Sequence, residues 1–128
     1  MTGPYKFSVR RRILSFRYAF RGLAFMFKTQ HNSWIHLLAA LVVVFCGFWL
    51  EISITEWCFS ILAIALVFMA EMINTAFEKL LDMLHPEHHP MVGRIKDLAA
   101  GTVLATAFIA VVVGILIFGP KLADKIFG

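Results

Sequence analysis

Two runs of 22 residues, Thr29 to Leu50 and Leu98 to Gly119, contain no Asp, Glu, Lys or Arg. As α-helices each would be about 33 Å long, enough to cross the hydrocarbon layer of a bilayer. A third uncharged run, Trp57 to Ala70, has 14 residues. That is too short to span, so its helix must continue through Glu71 toward Phe77. The chain therefore reads as an all-α membrane protein, one domain over residues 1–128, with spans at about 31–51, 56–79 and 97–119. Composition agrees: 60% of residues are hydrophobic and 16% charged, with a mean hydropathy of +0.80, whereas soluble domains are about half apolar and a quarter charged.

Basic residues set the expected orientation. Lys6, Arg10, Arg11, Arg12, Arg17, Arg21 and Lys28 precede the first span, and no acidic residue occurs before Glu51. The turn after span one holds Glu51 and Glu56 and no base, whereas the connection after span two holds Lys79, Arg94 and Lys96. The excess of Lys and Arg on the inner side of membrane proteins places the amino terminus, and a loop over 79–97 marked by Pro86 and Pro90, in the cytoplasm.

The first thirty residues lack the apolar core and small-residue cleavage site of a signal peptide. Val9, Ile13, Phe16, Phe20, Leu23, Ala24 and Phe27 instead fall within about a 100° arc of a helix, with Arg10, Arg17, Arg21 and Lys28 along one flank. This pattern predicts an amphipathic surface helix over about residues 5–28, lying on an anionic leaflet. The pI of about 9.4 does not imply nucleic acid, because the basic residues hug the spans and no reading motif accompanies them. Cys46 and Cys58 have neither CxxC spacing nor clustered His, and read as small apolar residues.

The acid within span two is the functional signal. With Glu71 at 0°, Asn74 falls at about 300°, Glu78 at about 340° and Asp82 at about 20°. These four polar side chains form one stripe, and a carboxylate facing lipid costs at least roughly 2.5–3.5 kcal/mol. The stripe must face protein or water; three helices cover it poorly, which predicts an oligomer. If the span ends near Phe77, Glu71 lies about 9 Å below the cytoplasmic interface, within reach of a water-soluble reactant and a lipid headgroup. Lys96 and Asp97 return to that level, giving an expected cluster of Glu71, Asn74, Glu78, Lys96 and Asp97.

Two carboxylates, an amide and a Lys–Asp pair at a membrane surface suit phosphoryl transfer. That chemistry needs carboxylate oxygens for a divalent metal, a cation for the transferring group and a base for the alcohol proton. Neither a Walker A sequence nor a kinase Gly-rich loop is present, so such a kinase would be of an unrelated design.

The segments E-x-x-N-T-A-x-E from Glu71, P-E-x-H-P from Pro86 and K-D-x-A-A-G from Lys96, with R-x-x-S-F-x-x-A-x-x-G from Arg12 to Gly22, carry a resemblance. Over roughly residues 10–118 the chain resembles the small bacterial integral-membrane diacylglycerol kinase and undecaprenol kinase family. The resemblance implies a homotrimer in the bacterial inner membrane, with active sites on the cytoplasmic side shared between protomers. It implies ATP and Mg²⁺, and a lipid alcohol as acceptor: undecaprenol, or alternatively diacylglycerol. By motif match Glu71 is the general base, Asn74 an organiser of the site and Glu78 a metal ligand. Lys96, Asp97, Glu87, His88 and His89 contact ATP, as do Arg11 and Tyr18.

The family usually carries a second metal-binding Glu where this chain has Gln30. An amide carbonyl ligates Mg²⁺ without bringing charge, so metal affinity is weaker, or another acid such as Asp82 contributes, or the match to the family slips by a residue here. Asp82 also reads as a helix-end charge, and His85, His88 and His89 as solvated or phosphate-facing. His36, inside span one, reads as a satisfied interhelical or interfacial residue. The GTVLATA segment at 101–107 reads as small-residue helix packing. A non-enzymatic oligomeric proton or ion pathway is the remoter alternative, weakened by the unbroken apolar run from Ile61 to Ala70.

Overall fold

The structure, a computed structural model, describes residues 6–128. Four helices follow one another: α1 (Val9–Thr29), α2 (His31–Trp49), α3 (Ile54–Leu84) and α4 (Pro90–Phe127), with no strand among the described residues. The last three are long and apolar enough to cross a membrane. A helix expected from about residue 5 is found from Val9, and residue 5 itself lies outside the described residues.

Helix α3 is the centre of the bundle. Its buried residues, Ser60, Ala63, Val67, Ala70, Glu71, Asn74 and Thr75, recur at helical spacing, and its packing against α4 is the most extensive in the chain. Small side chains at Ala63, Ala70 and Ala99 let the backbones approach, the usual device where lipid gives no hydrophobic drive to association.

Gln30 separates α1 from α2 as a single extended residue (φ −120°, ψ 112°). The carbonyl of Phe27, left open by the end of α1, accepts the indole N–H of Trp34 at 2.8 Å. Phe27 then packs between Trp34 and Phe68, and Met26 is buried. The last turns of α1 are thus pinned to α2 and α3, while Val9, Ile13, Phe16 and Phe20 remain exposed.

At the opposite end, Ile52 N–H donates to the Gly47 carbonyl and Glu51 N–H to that of Phe48, a Schellman closure of α2. Glu51 occupies its left-handed position at φ 51°. Ser53 caps α3 in a reciprocal box with Glu56. Gly47 is needed here: a Cβ on it would stand 2.5 Å from the Trp57 ring.

The expected long connection over 79–97 is not present. Helix α3 continues to Leu84 and α4 starts at Pro90, leaving only residues 85–89 between them. Water solvates an exposed helix as well as it solvates a loop, so Glu78, Lys79 and Asp82 end the apolar segment without ending the helix. Pro90 sits at the first helical position, where its missing N–H costs nothing, and His89 Nδ1 caps the helix by accepting from Met91 N–H at 3.1 Å. Helix α4 likewise runs on past Gly119 and Pro120 to Phe127. Lys121 Nζ lies 3.4 Å from Glu56, and Lys125 Nζ sits 4.8 Å above the Trp49 ring.

Candidate functional site

Beside the α1–α2 junction, α2, α3 and α4 border an open cavity of about 330 Å³. Its polar lining is Gln30, Asn32, His36, Glu71, Asn74 and Glu78; α4 supplies a smooth apolar wall at Ala100, Val103, Leu104 and Ala107. Helical phase on α3 projects Glu71, Asn74 and Glu78 to the same side, and the extended backbone at Gln30 brings a fourth polar side chain across to meet them. Two carboxylates therefore face one space into which no Lys or Arg side chain projects among the lining residues.

Glu78 is the better solvated of the two acids. Its Oε2 accepts from Gln30 Nε2 at 3.0 Å and its Oε1 from Asn74 Nδ2 at 3.5 Å. Glu71 is 1% exposed, and neither of its oxygens has a hydrogen-bond partner among the described residues. Leaving a buried acceptor unpaired costs about 1–3 kcal/mol, more for a charged group. Such a group calls for an explanation, a catalytic role or a water or ion that pairs with it.

The expected cluster is therefore only partly assembled. Glu71, Asn74, Glu78 and Gln30 line one cavity, but Lys96 and Asp97 do not. Lys96 forms an ion pair with Asp82, and Asp97 is exposed. The reason is register: α4 starts seven residues earlier than the expected span, and Lys96 meets α3 one turn beyond Glu78, while α4 reaches the cavity at Ala100. Asp82 is thereby a partner of Lys96 rather than a member of the cavity.

Glu87, His88 and His89 are exposed in the short connection. The His85 and His89 rings stand 5.2 Å apart, and His85 Nδ1–H donates to the Glu87 carbonyl at 3.1 Å. Arg11 and Tyr18 lie far from the cavity within the chain. On a continuous α1 they stand about 28 Å and 18 Å from Gln30 along the axis. Arg11 borders a separate depression of about 270 Å³ with Lys6, Arg12 and Ser15, and Tyr18 lies under the Arg21 guanidinium.

Two polar lining residues, Asn32 and His36, have no place among the site residues expected from the sequence. Their signal was present, since any polar or ionisable side chain within a span is a functional candidate. The reading of His36 as a satisfied side chain does not hold: its Nε2 is buried without a hydrogen-bond partner among the described residues, and lies 3.8 Å from Glu71 Oε2. Sequence periodicity fixes faces within one helix; it does not tell which turn of α2 stands opposite Glu71.

Comparison with known proteins gives a consistent picture. Residues 17–118 match the family described as prokaryotic diacylglycerol kinase. An undecaprenol kinase of Bacillus subtilis is 41% identical over 114 residues, which is 89% of this chain and 93% of the relative. A diacylglycerol kinase of Synechocystis is 34% identical over 111 residues, 86% of this chain and 63% of the relative. A diacylglycerol kinase of Escherichia coli is 31% identical over 75 residues, 59% of this chain and 62% of the relative.

Proposed function

The chain belongs to the prokaryotic diacylglycerol kinase family, and from that premise we propose that its polar cavity is where a membrane alcohol receives a phosphoryl group from ATP. As a member of that family it is a membrane lipid kinase. We assign undecaprenol as the acceptor, with undecaprenyl phosphate as product. The undecaprenol kinase relative is matched along nearly its whole length, and at higher identity than the diacylglycerol kinases. Diacylglycerol, giving phosphatidic acid, is the second candidate.

The observation that carries the reading is Glu71, a buried carboxylate with two unpartnered oxygens among the described residues, opening onto a cavity at one end of the bundle. A base in that position accepts a proton from a hydroxyl that the lipid delivers into the cavity. In the step, the alcohol O–H bond breaks and its proton passes to Glu71. The freed oxygen forms a bond to the γ-phosphorus as the bond from that phosphorus to the ADP oxygen breaks.

Glu78 with the side-chain oxygens of Gln30 and Asn74 makes an all-oxygen donor set carrying one charge. That set suits Mg²⁺ held jointly by protein and nucleotide phosphates, since Mg²⁺ in such sites takes one or two carboxylates and keeps several waters. The orphaned Asn74 Oδ1 and the lack of Lys or Arg in the lining favour a cation there. When bound, the ion neutralises charge on the phosphates. Lys96 is one helical turn from the cavity wall, held by Asp82 in an exposed pair of the kind that contributes little. It exchanges that partner for phosphate oxygens at small cost. Asp97, Glu87, His88 and His89 line the approach as nucleotide contacts.

In this reading the protein is a homotrimer in the bacterial inner membrane. Its amino terminus and cavity face the cytoplasm and α1 lies along the inner leaflet, consistent with the basic residues before span one. Arg11 and Tyr18 reach nucleotide bound to a neighbouring protomer.

The test is transfer from labelled ATP in mixed micelles, with undecaprenol and diacylglycerol offered separately and together. Glu71→Gln should lower transfer by at least about a hundredfold, the usual contribution of a general base, while the protein stays folded. Undiminished transfer in that variant would remove Glu71 from the chemistry. No transfer to either lipid by the wild type would sink the kinase reading.

A further inference from the structure

His36 presents an imidazole to the same space as the general base. Its Nε2 stands 3.8 Å from Glu71 Oε2, beyond a direct hydrogen bond, yet one oxygen placed about 2.8 Å from each atom bridges them. All three polar atoms around that point, Glu71 Oε1, Glu71 Oε2 and His36 Nε2, are buried and unpartnered among the described residues. The ring is held edge-on to Phe68, with centroids 6.4 Å apart, so its direction is set by packing.

His36 also borders a second cavity of about 270 Å³. That groove is apolar, walled by Ala39, Val43, Ile64, Val67, Ala110 and Gly114, and it shares both His36 and Ala107 with the polar cavity. It runs from His36 and Ala107 back along the apolar segments of α2, α3 and α4. An alcohol whose hydrocarbon chain lies in the groove brings its hydroxyl to the border between the two cavities, where His36 and Glu71 stand.

We propose that His36 binds the acceptor: its Nε2–H donates to the hydroxyl oxygen of the lipid alcohol while that hydroxyl donates to Glu71. One lone pair of the oxygen is thereby fixed and the other is aimed at the phosphoryl group. This rests on the lipid kinase reading above and adds the residue that orients its acceptor. A neutral imidazole carries one N–H donor, which the Nε2 tautomer supplies. The alternative is that His36 only supports Glu71 as a structural neighbour, and the two roles move different kinetic constants.

The experiment is steady-state transfer in mixed micelles, varying lipid alcohol and ATP separately, for wild type, His36→Leu and His36→Gln. His36→Leu should raise KM for the alcohol about tenfold, the worth of one hydrogen bond to substrate, with KM for ATP unmoved. His36→Gln, whose amide offers an N–H from a similar reach, should recover most of that loss. An unchanged alcohol KM in His36→Leu, both KM values rising together, or His36→Gln as impaired as His36→Leu would overturn the assignment. Should the leucine variant fail to fold, the ¹⁵N signal of the His36 ring in the wild type decides: it should shift when the alcohol is added without nucleotide, and an unmoved signal would overturn the assignment. A wild type that phosphorylates neither lipid would instead sink the kinase reading, and the role of His36 with it.

Discussion

At Glu78 two amides converge on one carboxylate, Gln30 from the α1–α2 junction and Asn74 from the preceding turn of α3. Without metal this arrangement is self-sufficient, because the Gln30 N–H satisfies an acid that a second carboxylate would repel. Gln30→Glu should therefore do two opposite things. It should lower the Tm in metal-free micelles through like-charge repulsion, and raise apparent Mg²⁺ affinity about tenfold by adding a charged ligand. A Mg²⁺ titration of Tm and of transfer rate checks both, and identical titrations for variant and wild type would remove position 30 from the metal site. The nearness of Glu71, Asn74 and Glu78 was legible beforehand, because 3.6 residues per turn forces these positions to one face. The partnership of Gln30 with Glu78 and of His36 with Glu71 was not, because it depends on how α2 is set along α3.

Hydropathy located the spans and misplaced the helix ends, and the 85–89 connection shows why. Transfer energy changes at Glu71 and Glu78, where the side chains become polar, but the backbone goes on pairing with itself until a capping residue intervenes. Helix α3 stops at its C-cap His85 and α4 opens after its N-cap His89, and the resemblance also gives His89 to nucleotide. His89→Asn should keep the cap and the Tm, whereas His89→Ala should lose about 1 kcal/mol of stability. Both should raise KM for ATP, since both remove the outward ring nitrogen. An unchanged KM in the asparagine variant would leave His89 with the cap alone. At the other end of the bundle, Glu51 holds a left-handed conformation that costs a non-glycine residue about 1–2 kcal/mol. Glu51→Gly should stabilise the fold by roughly 0.5–1 kcal/mol after the flexibility of glycine in the unfolded chain is counted, and so raise the Tm. A lower Tm would show that the Glu51 side chain holds the turn by a contact worth more than the strain.

If Arg11 contacts nucleotide as the lipid kinase reading proposes, it cannot do so at the cavity of its own chain, and α1 is the reason. Its last turns are locked by Met26 and Phe27 against α2 and α3, while Arg11 lies about 28 Å further along the same continuous helix. An arginine so placed cannot fold back onto its own Glu78 without breaking α1, but it can extend over the cavity of a neighbour. In a closed ring each protomer would then give Arg11 to one site and take it from another. Subunit mixing separates this from the case in which Arg11 serves only membrane adhesion. Arg11→Ala and Glu71→Gln proteins, each inactive alone, should regain transfer when unfolded, mixed in equal amounts and refolded together. Random assortment pairs an intact Arg11 with an intact Glu71 on neighbouring protomers at about one site in four, so activity should approach a quarter of the wild-type value. If both residues had to come from one protomer, both variants would be inactive and mixing would restore nothing. An Arg11→Ala protein that is active alone would place that residue on the leaflet rather than on the nucleotide.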